Sequence, residues 1–490
     1  MRSQEWKRLG RSSHLCSRFA QETNRNTEAD NVIASDRTQH EIYMPAFKAS
    51  VSQANVASLM CAYSSVDGNY ACQSPFLLTA TLRNLWDFPG FVTSDYGALH
   101  STSGALAGTD QEQPSNNYFG SPLQTAVTTG AISRAVLNTM VSRMLTEMFR
   151  FNLFGQPRPA TPTATVTTPA HQSLSNQVAD SGTVLLRNER GTLPLSADHA
   201  GNVAVIGPSA SASPTYGGGG SAYVVPSSSV TPLQDLQSAA GPGTHVSYTQ
   251  GLPTDTALPA IPAANLTPAY TGTNFGGSYT GTLTAPETGT YVLAFTNQCG
   301  CYSSEYLSLN GQQLIDDPGT PPQSTFSVAV DLVAGQRYTL ATSGGGQSSN
   351  LSWGTPSALK PGIDAAVAAA KSASTAVVVV SDDTESEATD RLSLDLPSAQ
   401  NELISAVAAA NPHTVVVADA GAPIAMPWLS QVASVVDAWY PGQTSGTSLA
   451  DVLFGTVNPS GHLPVSFPTS LSQVPASTSA QFPGINGQVL

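Results

Sequence analysis

Apolar and polar positions follow two different rhythms along the 490 residues, and the change of rhythm divides the chain. Between residues 28 and 155, short apolar runs alternate with longer amphipathic stretches. ADNVIASDRTQHEIYMPAFKASVSQ predicts helix, VASLMCAYS a buried strand, SPFLLTATLRNLWD a helix, GFVTSD a strand, and residues 123 to 151 helix again. The same grammar resumes at Ala170 with helix AHQSLSNQVADSG and strands TVLLR and NVAVIG, and runs to about Gly251. It resumes near Pro361 with helix DAAVAAAKSA, the strand AVVVV (376 to 380), helix SAQNELISAVAAA and strands TVVVADA and ASVVDAWY. Apolar runs without alternation, set between helices, predict a parallel sheet covered on both faces. Residues 255 to 355 instead alternate apolar with polar and carry Asn-Gly and Pro-Gly turns, which predicts an all-β sandwich. Prolines and threonines at 156 to 169 mark a linker. The fold class read from this pattern is a multidomain α/β chain with an all-β insertion.

Composition narrows the function without naming it. A chain of this length has room for two to four domains with large cores. Charged residues make up only 11% of it, yet the formal net charge is −14, which leaves few cations to neutralise phosphates and argues against nucleic acid as a partner. No apolar run reaches the roughly 18 to 20 residues that span a bilayer. The first 30 residues lack the apolar core of a secretory signal, so the sequence assigns no compartment. Nothing in it calls for a cofactor or a metal: Cys299 and Cys301 are too close for ordinary zinc spacing and have no His beside them. Cys61 and Cys72 flank a glycine-containing loop, and either a disulfide or two packed thiols fits them. The YGGGGS run at 216 to 221 has no Lys-Ser or Lys-Thr after it and is read as a loop rather than a phosphate cradle.

The chemistry-bearing stretch is GFVTSDYGALHSTSGALAGTDQEQP (90 to 114). Phe91 and Val92 supply a short strand, Gly90 and Gly97 let backbone approach a ligand, and Asp95 projects where catalytic residues of β/α barrels sit. Taken alone, the residues fit an aspartate that closes a turn better, since Ser-Asp pairs are common turn formers.

With its surroundings the stretch resembles glycoside hydrolase family 3, whose nucleophile lies in a Ser-Asp-Trp or Ser-Asp-Tyr step after Gly-Phe. The resemblance extends through QETNRNT (21 to 27), EIYMPAFKASV (41 to 51), VADSGTVLLRNERGTLPL (178 to 195), VAVIGPSA (203 to 210), DRLSLDLPSAQNELI (390 to 404) and GTSLADVLFGTVNPSGHLPVSFP (446 to 468). It implies the C-terminal part of a (β/α)8-type barrel over 1 to 155 and an α/β sandwich domain over 170 to 251 and 361 to 490. It further implies a protective-antigen-type β-sandwich inserted over 255 to 355, which binds glycans, walls the active site or acts as a spacer. The implied activity is that of a retaining, exo-acting β-glycosidase of β-glucosidase type, acting on β-glucosides or short β-linked oligosaccharides through a covalent glycosyl-enzyme. The alternative is a non-catalytic, carbohydrate-binding or scaffold remnant of such an enzyme.

In this reading Asp95 is the nucleophile and Glu387, in the loop SDDTESEATDR (381 to 391), is the acid/base, with Glu385 as the alternative because Ala388 replaces the family's usual glycine. Met60 and Tyr63 match pocket residues near the nucleophile, and Tyr96 replaces the more frequent Trp that stacks on a sugar face. The family's Lys-His pair is not recoverable: His14 stands near its place, with Leu15 beside it and no lysine. A full barrel needs roughly 250 residues, more than precede the linker. The sequence therefore reads either as an internal fragment of a larger enzyme or as a chain whose residues 1 to about 20 are foreign to it, and as inactive by itself.

Overall fold

The computed structural model describes residues 3–5, 31–155, 167–189, 191–212, 224–270, 275–276, 278–297, 305–317, 325–343, 348–382, 384–386 and 391–474. They fall into two compact units, one within residues 1–164 and one spanning 165–474. Glu387, Asp390, His14, Cys299, Cys301 and the YGGGGS run lie outside the described residues.

In the first unit, β1 (Ser3–Glu5), β2 (Ser58–Cys61), β3 (Phe91–Tyr96) and β4 (Gln111–Gln113) pair in that order as a parallel sheet. Helix α1 (Pro45–Ser52) precedes β2, α2 (Phe76–Leu85) joins β2 to β3, and α3 (Ser121–Thr128) and α4 (Arg134–Arg150) follow β4. The helix expected from residue 28 starts late: Asn31–Val32 pairs instead with Ser65–Val66, and helical structure begins at Asp36. Ser35 sets that start, its hydroxyl accepting the Thr38 N–H at 3.2 Å as an N-cap. Leu59 and Val92 from the strands meet Leu77, Leu78 and Leu82 from α2, all with exposures of 1% or less, in one core. Cys61 and Cys72, left open by the sequence, are joined as a disulfide against that core.

Asp110, just before β4, ties the layers together. Its Oδ2 accepts the Val92 N–H and the Arg83 guanidinium, both at 2.8 Å, and its Oδ1 accepts Arg143 of α4 at 2.9 Å. Burial pushes the Asp110 carboxyl above its usual range against the pull of both arginines, and burial lowers Arg83 to about 10. A group this desolvated holds its charge only because its partner is fixed opposite.

The second unit is built on a six-stranded sheet. Its strands are β5 (Val184–Asn188), β6 (Gly201–Ile206) and β7 (Thr244–Thr249), joined later in the chain by Thr375–Ser381, Thr414–Asp419 and Ser434–Asp437. Helix α5 (Pro169–Gly182) leads into β5, and α6 (Pro232–Ala239) leads into β7. Between β7 and Thr375 the described residues form nine strands: β8 (Leu266–Thr267), β9 (Phe275–Gly276), β10 (Tyr279–Thr284), β11 (Gly289–Asn297), β12 (Glu305–Leu309), β13 (Gln312–Asp317), β14 (Thr325–Leu332), β15 (Arg337–Ser343) and β16 (Ser348–Gly354). Helix α7 (Pro356–Ser372) then leads to β17 (Thr375–Ser381), α8 (Gln400–Ala410), β18 (Thr414–Asp419), β19 (Ser434–Asp437) and α9 (Ser445–Leu453).

The large sheet has the order β7-β6-β17-β18-β19-β5. Its two faces are buried by alternate residues of the same strands: Val378, Val380 and Val416 enter one core, and Val377, Val379 and Val415 the other. Burial on both sides explains why the valine run shows no alternation in sequence. The expected parallel arrangement holds for five strands; TVLLR, as β5, runs antiparallel to β19 at the edge. An antiparallel edge on an otherwise parallel sheet is common, and an apolar run does not encode strand direction.

The nine intervening strands form two antiparallel sheets, β8-β10-β15-β12-β13 and β9-β16-β11-β14. Leu283, Leu307 and Leu340 from one and Tyr291, Leu293, Phe295 and Trp353 from the other fill a shared core. The opposite face of β11 presents Val292 and Ala294 to the core beneath α7, so this pair of sheets is seated on the α/β layers.

Candidate active site

In the first unit, the carboxyl ends of β2 and β3 carry the residues singled out from sequence. Met60 pairs in register with Thr93 and Cys61 with Ser94, which brings Met60 and the following Tyr63 beside the end of β3 where Asp95 sits. Asp95 is 4% exposed, and its Oδ1 accepts the Tyr96 N–H at 2.8 Å. Gly97 then turns the chain with φ of +85°, a region open to glycine without strain, and its N–H reaches the Gln113 carbonyl at 2.9 Å. Ser94 braces the same turn by accepting the Gln113 N–H at 2.8 Å. Met60 and Tyr63 are half-buried, while Tyr96 is 64% exposed with its ring open to solvent. A buried carboxylate beside an exposed aromatic ring, on a braced turn at strand ends, lies where catalytic groups of β/α folds are placed.

In the second unit, carboxylates collect at the carboxyl ends of three adjacent parallel strands: Asp382 after β17, Asp419 ending β18 and Asp437 ending β19. Ligands of open α/β sheets bind at this edge. Glu385 enters the cluster from the loop after β17. Its Oε2 lies 2.7 Å from the Tyr440 hydroxyl, and its Oε1 lies 3.4 Å from Arg391, whose guanidinium also pairs with Asp382 and donates to the Pro423 carbonyl at 2.7 Å. Thr384 holds the loop by donating its hydroxyl to Asp382 Oδ1 at 2.7 Å.

Burial, reinforced by Asp382, pushes the Glu385 carboxyl up to about 7 despite Arg391 and Tyr440. Burial, with Glu385 nearby, raises Asp437 to about 7 as well. The same burial and the facing carboxylates drive the Tyr440 phenol well above its ordinary value, so it stays a donor. Gly421 makes room for the contact, since a Cβ there would collide with Glu385 Oε2 and the Tyr440 ring. Trp439 takes φ of +57°, which a bulky side chain rarely adopts. Its indole N–H donates to the Gly182 carbonyl at 3.0 Å and its backbone N–H to Asp437 Oδ1 at 3.2 Å, fixing the bend that sends Tyr440 to Glu385.

The structure therefore brings Asp95, Met60 and Tyr63 together at one sheet end and places Glu385 in a buried ionisable cluster. Asp437 and Tyr440 escaped the sequence reading because ASVVDAWY scans as one more apolar strand. The available signal was an acidic residue set inside that strand beside an aromatic pair. Among the described residues no group of His, Cys, Asp and Glu side chains is arranged to hold a metal ion, and no helix is long and apolar enough to cross a membrane.

Comparison with known proteins places both halves. Residues 19–146 match the glycosyl hydrolase family 3 N-terminal domain, and residues 183–488 match the glycosyl hydrolase family 3 C-terminal domain. The chain belongs to glycosyl hydrolase family 3. This family 3 chain is 31% identical over 526 residues to a β-glucosidase of Rhizobium radiobacter, an alignment covering 96% of it and 63% of the relative. It is 32% identical over 527 residues to β-glucosidase B of Emericella nidulans, covering 95% of it and 61% of that protein. Among solved structures, a β-glucosidase from Streptomyces venezuelae in complex with D-glucose superposes with a TM-score of 0.78 at 36% identity, covering 97% of this chain and 62% of that one. The family 3 chain thus spans a little over three-fifths of the length of the relatives it matches.

Proposed function

We propose that this chain carries the catalytic carboxylates of a retaining β-glucosidase acting on β-glucosides or short β-linked oligosaccharides. Asp95 is the nucleophile and Glu387 the general acid/base. The observation that carries the reading is the placement of Asp95: a carboxylate held by its neighbour's N–H, at the end of a parallel strand, on a turn braced by Gln113. In a retaining mechanism that carboxylate attacks the anomeric carbon while a second carboxyl protonates the departing oxygen; water then releases the sugar with the second group acting as base. Met60 and Tyr63 line the sugar's pocket and Tyr96 offers its ring to a sugar face. The β-glucosidase names of the relatives and the D-glucose in the Streptomyces venezuelae structure support glucose as the sugar held.

The four-stranded parallel sheet is read as the closing part of a (β/α) barrel, and the two antiparallel sheets as a protective-antigen-type insertion. The domains run over 1 to 155, 170 to 251 with 361 to 490, and 255 to 355.

Glu385 supports the assignment of Glu387 by being engaged elsewhere. Its carboxyl is turned inward onto Tyr440 and Arg391, and it anchors the loop two residues before Glu387. A second reading, Glu385 itself as the acid, is favoured by its pKa of about 7, the range of a general acid at neutral pH. Azide rescue separates the two. Hydrolysis of an aryl β-glucoside is measured for Glu387→Ala and Glu385→Ala with added azide, and glycosyl azide formed by the first variant alone supports the assignment. Glycosyl azide from Glu385→Ala alone transfers the role to Glu385. Labelling of any residue other than Asp95 by a fluorinated glucoside removes the nucleophile assignment.

A further inference from the structure

A cavity of about 380 Å³ opens within the second unit between β14 and the segment 391 to 402, whose end begins α8. Residues 326 to 331 of β14 all line it. Successive side chains of a strand point to opposite faces. Phe326, Val328 and Val330 pack into the core between the two antiparallel sheets. Ser327 and Ala329 stand opposite Ala294 and Val292 of β11, on the face turned toward the α/β layers. A cavity that touches both sets in turn runs along the edge of the strand, where the backbone lies. That edge is open: β14 ends its sheet beside β11, and among the described residues no other backbone–backbone hydrogen bond reaches residues 326 to 331. Every second residue of such a strand turns its N–H and C=O outward, here over about 20 Å of edge.

The wall beside that edge is acidic. Asp331 of β14 and Glu402 of α8 belong to it, with Asp316 and Asp395. Burial, with the negative charge of Asp331 added, raises the Glu402 carboxyl. Among the described residues no lysine or arginine forms an ion pair with any of these four. The guanidinium in the wall, Arg391, is already paired with Asp382 and Glu385. The Ser327 hydroxyl, 6% exposed in the same wall, lies near the Asp255 carboxyl without reaching hydrogen-bond geometry, so its bonding capacity is unspent.

An extended peptide answers both features, because its backbone supplies donors and acceptors in alternation and its cationic side chains meet the carboxylates. A second copy of this chain answers the edge but not the charge. It would bring the same carboxylates and a formal net charge of −14, and charge on an edge strand is a device against self-pairing. We propose that the open edge of β14 binds a partner by strand addition, taking an extended lysine- or arginine-bearing peptide segment that pairs with residues 326 to 331 and sets its cations against Asp331 and Glu402. The proposal goes beyond the catalytic reading and does not rest on turnover.

The test is calorimetric titration of the full chain with an acetylated, amidated hexapeptide of alternating lysine and valine, with hydrogen exchange read by mass spectrometry. Saturable binding that weakens with added salt is expected, together with slowed amide exchange within Thr325–Leu332. N-methylating the valines or, separately, the lysines keeps the charge and removes alternate backbone donors. One of these two forms is expected to bind roughly tenfold more weakly while the other keeps most of its affinity, since only alternate amides face the strand. Asp331→Asn/Glu402→Gln, at two exposed positions, is expected to weaken the parent peptide severalfold with an unchanged melting curve, because the new amide at 331 still accepts the Thr290 hydroxyl. Absence of binding, binding without protection of Thr325–Leu332, or affinity indifferent to the double substitution overturns the site. Two N-methylated forms that both bind as tightly as the parent overturn strand addition. A chain that sediments as a dimer and leaves the peptide unbound gives the edge to a second copy and overturns the cationic partner.

Discussion

The Tyr440 hydroxyl stands 2.7 Å from Glu385 Oε2, although the two residues are 55 apart in sequence and arrive from the ends of different strands. The contact depends on the left-handed bend at Trp439 and on the missing side chain of Gly421. Residues held in a sparsely populated conformation by their surroundings concentrate at functional sites. Here the strained residue delivers the donor that keeps a buried carboxyl in place.

Tyr440→Phe removes that donor without changing the ring. A buried carboxyl left short of one hydrogen bond is expected to cost about 1–3 kcal/mol of stability. The Glu385 midpoint is expected to move above about 7, because the phenol is one of the groups holding it down. Urea unfolding and carboxyl-carbon NMR titration read the two effects, and an unchanged midpoint contradicts the role given to the hydroxyl.

Stability of the second unit is expected to fall as pH rises from about 4.5 to about 7. Glu385 and Asp437 have folded-state values near 7, raised from 4.5 and 3.8, so the fold binds more protons than the unfolded chain in that window. The stabilisation is fully present below the unfolded values and is lost as pH passes through the folded ones. Glu385→Gln is expected to flatten the profile between pH 4.5 and 7; a slope equal to that of the parent chain places the titration elsewhere.

Asp110→Ala is expected to destabilise the first unit by about 3–5 kcal/mol, since it leaves Arg83 charged and nine-tenths buried with no carboxylate opposite. Asp110→Asn keeps the shape and is expected to lose most of the same energy, because the charge is what balances Arg83 and Arg143. Thermal unfolding followed by circular dichroism measures both, and a loss below about 1 kcal/mol for the alanine variant refutes the account.

Asp95→Asn separates chemistry from folding. In a preparation that hydrolyses an aryl β-glucoside, turnover is expected to drop by roughly 10³-fold or more, as for removal of a group that acts only in bond making and breaking. The melting temperature is expected to stay within a few degrees, because the Tyr96 N–H still meets an amide oxygen. Retained turnover assigns the nucleophile to another residue.

The chain itself determined the kinds of element and their order. Its valine runs predicted β17 and β18, its alternation over 255 to 355 predicted two-faced sheets, and GFVTSD followed by glycine predicted a strand end with Asp95 upon it. These are local matters, set by which faces of a strand or helix are apolar within a few residues. Tertiary structure alone decided what required distant residues to meet. It turned TVLLR antiparallel against β19, closed Cys61 onto Cys72, and set Asp110 between two arginines. Glu385 shows the division most clearly. Sequence counts it as one of several acids in a polar loop, where water would keep it ionised at neutral pH. Only the fold removes that water, brings Asp382 near, and supplies Tyr440 and Arg391 from elsewhere in the chain, so that burial and Asp382 push the group up to about 7. Desolvation and charge proximity are properties of the folded arrangement, and no spacing in the chain records them.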